Sequence, residues 1–174
     1  MTNKTTLQQR IRFFLIFFVC GLAISGLTAI PLQWELRLLM PFVEKGSQVG
    51  IIFPSLSDWM ERINDGVRNG YGQYPFLAYG IDWLAFGHVA IAIAFIGALR
   101  DPIRNIWIVE FGMIICMLAI PWILIFGAIR GIPFFWQLID MSFGVFGIIP
   151  LWLARRNILK LSANAKATTI HPGV

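Results

Sequence analysis

The sequence predicts an all-α integral membrane protein: a bundle of four transmembrane helices, both termini cytoplasmic, with an outer loop carrying one or two interfacial amphipathic helices. Three observations predict it. Four apolar runs, 13–30, 76–99, 106–129 and 134–153, are each long enough to cross a hydrocarbon layer of roughly 30 Å as a helix, which takes about 20 residues. The 174 residues are 57% hydrophobic and only 13% charged, with a mean hydropathy of +0.72, whereas a soluble domain carries about 25% charged residues. Finally, the basic residues are placed as topology would place them. Lys4, Arg10 and Arg12 precede the first run with no acid among them, and Arg155, Arg156, Lys160 and Lys166 follow the last with none. Arg100 and Arg104 flank the link between the second and third runs against Asp101 alone. The long first loop instead balances Arg37, Lys45, Arg62 and Arg68 with Glu35, Glu44, Asp58, Glu61 and Asp65. By the positive-inside rule the termini and the middle link are cytoplasmic. The net charge of +5 is therefore a topological signal, and nothing calls for nucleic acid.

Taken in order, residues 1–12 form a cytoplasmic N-terminus and 13–156 the membrane domain. The first span resembles a signal peptide in its basic start and in the small residues Ala23 and Ser25. Its apolar run continues through Gly26, Leu27 and Ala29 to Pro31, however, so an uncleaved span is expected. The outer loop, 31–75, falls into two parts. QWELRLLMPFV at 33–43 is too short to span and too apolar for water, which predicts an interfacial helix. Between 55 and 69, Leu56, Trp59, Met60, Ile63 and Val67 recur at helical spacing, opposite a face carrying Asp58, Arg62, Asp65 and Arg68. Ser55 with Asp58 reads as a capping-box start and Gly70 as a C-cap. This helix serves either as a lid on the outer surface or as a docking helix for a protein partner.

The link at 100–105 (RDPIRN) makes spans two and three antiparallel neighbours, with Asp101 as a cap and Pro102 in the first helical position. On the other side, Gly131 ends span three and Pro133 opens span four. Pro121 and Pro150 predict kinks within their spans. Residues 157–174 are polar and rich in small side chains, predicting a disordered cytoplasmic tail in which His171 needs no role. Gly21 with Ser25, Ala90 with Ala94, Gly112 with Cys116 and Gly144 with Gly147 mark the expected helix seams. Cys20 and Cys116 both lie within apolar runs and form no C-x-x-C pair, so no thiol-exchange chemistry is expected.

Ionisable groups inside a bilayer cost about 3 kcal/mol each and ask for a reason. Four occur here: Asp82 and His88 in span two, Glu110 in span three and Asp140 in span four. Asp82 and Asp140 lie about 9 Å from the outer ends of their spans, His88 near the midplane and Glu110 about 6 Å from the inner end. One reading makes them a polar path for protons or a polar ligand, with Arg130 at the outer turn shared by the two aspartates. The other makes them helix-to-helix glue, with Glu110 reaching Arg104 or the headgroups. Against a common path, Asp82 and His88 are six residues apart and do not share a helix face.

A bis-histidine haem fails because only one histidine is intramembrane, and zinc spacing, P-loop, dinucleotide and nucleophile-elbow patterns are absent. No cofactor is expected. The leading expectation is a non-catalytic accessory or assembly module in a bacterial plasma membrane. The alternative is a small transporter or proton-conducting subunit built on Asp82, His88 and Asp140. A quinone- or lipid-handling enzyme comes third. The expected partners are the lipid bilayer, a protein docking on 55–69, and a second copy of the chain.

Overall fold

The computed structural model describes residues 4–170, with the side chains of 4–166. It contains seven α-helices and, among the described residues, no strand: α1 Lys4–Ala29, α2 Leu32–Val43, α3 Gln48–Ile52, α4 Pro54–Gln73, α5 Phe76–Arg100, α6 Ile106–Ile129 and α7 Phe134–Ile170. Four of these, α1, α5, α6 and the Phe134–Lys166 part of α7, are long and apolar enough to cross a membrane.

The ends of two long helices differ from expectation. The basic segment before residue 13 is already helical from Lys4, one continuous α1. The tail expected to be disordered from 157 continues α7 instead, through Ile170, while His171 and the three residues after it lie outside the described part. The reason is packing. Ala154, Ile158 and Leu161 fall on one face of α7 and are buried with Leu7, Ile11 and Leu15 of α1. No glycine or proline interrupts the chain between Leu151 and Ile170.

The chain forms two compact units, one of Met1–Leu22 with Ala90–Val174 and the other of Ala23–Val89. In the first, Phe95 is fully buried at the centre of the cluster, its ring 5.0 Å from that of Phe18. α6 and α7 run antiparallel in strict register. Gly112 meets Leu151, Cys116 meets Gly147 and Gly127 meets Gln137, so each step up one helix is matched by a step down the other. The expected Gly112/Cys116 and Gly144/Gly147 seams are thus real ones. Both helices run on through Pro121 and Pro150. At the link, Gly131 adopts φ +68°, where it has no Cβ to clash. Ile132 N donates to Gly127 O and Gly131 N to Ala128 O, the two bonds of a Schellman close. Asp101 caps not α6 but the turn before it: its Oδ1 accepts from Arg104 N at 3.1 Å. Asn105 reaches back instead, donating to Gly97 O at 3.0 Å at the end of α5.

The second unit packs α2, α3 and α4 together. Pro54 opens α4 and Ser55 makes no cap, while Gly70 lies inside the helix rather than after it. Met60 and Ser57 are buried and Leu56, Trp59, Ile63 and Val67 half-buried, so the apolar stripe of α4 is occupied within the unit. Lys45 ties the α2–α3 connection to α4, with Nζ 2.8 Å from Asp58 and 3.3 Å from Glu61. Trp34, Leu38, Leu39 and Phe42 remain exposed on α2. Gly26 of α1 packs on α5, where an added Cβ would sit 2.5 Å from that of His88. The small-residue contact here is Gly26; Gly21 has open space around it and Ala90 and Ala94 are exposed.

Candidate functional site

The five candidate residues divide between the units, Asp82 and His88 in one and Glu110, Arg130 and Asp140 in the other. His88 is half-buried, held by Gly26 against its Cβ. Its Nδ1 donates to Leu84 O, one turn earlier, at 2.8 Å. A carbonyl can only accept, so the neutral ring carries its proton on Nδ1 and keeps Nε2 as an acceptor. Asp82 is exposed, on a shallow surface cavity of about 260 Å³ shared with Tyr79, Trp83 and Phe86. The three rings form an edge-to-face ladder, with centroids 6.0 Å apart from Tyr79 to Trp83 and 5.5 Å from Trp83 to Phe86. Burial first and the Asp82 charge second push the Tyr71 phenol on α4 above its ordinary pKa.

In the other unit, Glu110 finds a partner that the sequence reading did not name. Arg155 Nε donates to Glu110 Oε1 at 2.8 Å, with both side chains partly exposed. The α6–α7 register carries the pairing, since the tight link mirrors residue 110 onto about residue 153. Arg104 is not the partner. Arg130 is exposed as the C-cap of α6, and no ion pair joins it to the half-buried Asp140 among the described residues. Beside that turn Gln137 is buried, its Nε2 donating to Ile132 O at 2.8 Å. No three His, Cys, Asp or Glu side chains gather to hold a metal ion among the described residues.

Two cavities were not foreseen. One, of about 450 Å³, lies between α2 and α4, with Leu36, Met40 and Val67 as apolar walls and Arg37, Glu44 and Arg68 as charges. The other, of about 370 Å³, lies between α1 and α7 and is lined by Arg10, Phe14, Leu153, Arg156, Asn157 and Lys160. In the sequence the charged residues of this second cavity stand out only as topology markers. That they share helix faces becomes visible only once residues 4–12 and 154–166 are known to be helical.

The fold thus defines an all-helical protein with four candidate transmembrane helices. Compared with protein-family models, curated proteins and solved structures, the chain matches none.

Proposed function

We propose that the chain is a multi-pass protein of a bacterial inner membrane, with both ends in the cytoplasm, acting as a non-catalytic accessory module through its helix faces and outer helices. The observation that carries this reading is the apolar exterior of α6, where Trp107, Phe111, Ile114, Met117, Leu118, Trp122, Ile125 and Ile129 are all exposed. Monomeric soluble proteins rarely show contiguous apolar patches above a few hundred Å², so a stripe running the length of a 24-residue helix calls for lipid or a partner helix as its solvent. The basic segments at both ends and at the α5–α6 link support the orientation.

An accessory role is favoured over transport because two of the intramembrane polar residues are engaged locally and the candidates divide between the two units. His88 Nδ1 is committed to its own helix and Glu110 to Arg155. On α4 the apolar stripe is covered, which leaves Asp58, Arg62, Asp65 and Arg68 as the face a partner would meet.

The test combines topology and co-purification. Single cysteines at Arg62→Cys and Arg104→Cys, in a chain otherwise free of cysteine, are probed with a membrane-impermeant maleimide in intact cells. Labelling at 62 and protection at 104 until lysis is the expected result, and the opposite pattern overturns the orientation. A stable partner recovered with the wild type and lost on reversing the charges at Arg62 and Arg68 is the result expected of an accessory module. Proton flux in proteoliposomes that disappears with His88→Ala would overturn that reading.

A further inference from the structure

The cavity between α1 and α7 gathers residues that charge and helical spacing bring to one place. Arg10 and Phe14 are four apart on α1, and Leu153, Arg156, Asn157 and Lys160 lie at i, i+3, i+4 and i+7 on α7, so each set shares a helix face. Three cations converge with no carboxylate in the lining. None of the three forms an ion pair among the described residues, whose cationic pairs are those of Lys45 and Arg155. Arg156 lies 5.7 Å from the centre of the Trp152 ring, a contact that leaves its charge uncompensated by an anion. Asn157 supplies an independent sign. It is 9% exposed, and its side chain has no hydrogen-bond partner among the described residues. Its amide is not among the fully buried unpartnered polar groups, so it is open to whatever fills the cavity and can donate to acceptor oxygens there.

The apolar wall narrows the ligand further. Phe14 and Leu153 form the apolar part of the lining, and their chain neighbours Phe13 and Trp152 are exposed. A free anion would have no use for that wall; an anion attached to hydrocarbon would. Basic pockets between helices at the cytoplasmic edge of a bilayer suit phospholipid headgroups. We infer that this cavity binds the phosphodiester of an anionic phospholipid of the inner leaflet. Arg10, Arg156 and Lys160 neutralise the phosphate, Asn157 donates to one of its oxygens, and Phe14 and Leu153 lie against the glycerol and the first acyl carbons. This assignment rests on the membrane reading of the chain.

The full chain is reconstituted in nanodiscs of mixed phosphatidylglycerol and phosphatidylethanolamine, and the lipid retained after extraction is counted by native mass spectrometry. Recovery in nanodiscs tests the membrane reading by itself; the identity of the retained lipid tests the site. One phosphatidylglycerol is expected to be retained at least about tenfold over phosphatidylethanolamine. The preference should vanish in the Arg10→Gln/Lys160→Gln double variant and survive in Arg100→Gln, whose cation lies elsewhere. Asn157→Asp, nearly the same shape but anionic, should also abolish it while the thermal midpoint is kept. No preference in the wild type, or a preference that persists in both cavity variants, overturns the proposal. Displacement of the lipid by millimolar inorganic phosphate would overturn the lipid assignment in favour of a free-anion site.

Discussion

Gly112 has no room for a methyl group. A Cβ there would lie 2.7 Å from the tip of the Phe95 ring and 2.9 Å from a Leu151 methyl. Gly112→Ala should therefore cost about 1–3 kcal/mol, because a close-packed core relaxes only partly around added volume. Gly21→Ala, with nothing within 4 Å, should be neutral. Thermal unfolding of the two variants in one detergent checks the contrast. At Glu110 the expected effect is smaller: the pair with Arg155 is 38% and 41% exposed, so a double-mutant cycle with Glu110→Gln and Arg155→Gln should return about 1 kcal/mol or less. These two residues also mark what the sequence holds at this scale. Spacing rules found Gly112 because its neighbour four residues on is also small, but they chose Gly21 and Ser25 over Gly26, since any small pair in a span satisfies the rule equally. The Glu110 partner was within reach, because a tight antiparallel link dictates which residues stand opposite; only the arithmetic along the hairpin was missing.

At the scale of elements, the long helices were legible because each is a run of about 20 apolar residues, a signal that survives ignorance of tertiary contacts. The continuation of α7 was not, since a polar stretch reads as solvated until a helix packs beside it. Burial of Ile158 and Leu161 makes the consequence measurable. Ile158→Ala should destabilise by about 2 kcal/mol or more, the cost of a large-to-small change in a core, where a disordered tail would show none. Denaturant titration followed by circular dichroism reads the difference. In the α2–α4 unit, hydrogen bonds to Asp58 and then Glu61 raise the Lys45 pKa above its ordinary value, and burial with the Asp82 charge does the same for Tyr71. In both cases the folded state holds its proton more tightly than the unfolded chain. Their contribution is therefore complete below the ordinary values and is lost as pH climbs through the raised ones. Helicity should fail at a lower pH in Lys45→Met than in the wild type during an alkaline titration, by a modest margin because the lysine is exposed.

For the whole molecule, composition and the lengths of the apolar runs carried the all-helical class with four candidate membrane spans, since they do not depend on particular contacts. The grouping into two units was not legible: the division falls inside α1 and α5, between Leu22 and Ala23 and between Val89 and Ala90, where the sequence has no punctuation. In the candidate polar series Asp82 is exposed and His88 turns to its own backbone, local details that depth along a span does not reveal.

Leu7, Ile11 and Leu15 of α1 are buried with Ala154, Ile158 and Leu161 of α7, which lies far later in the chain. The α6–α7 pair can close as soon as it is made, because its contacts are local, but α1 must wait for α7 to be made. A nascent chain cut short anywhere before the final helix would leave that early face uncovered.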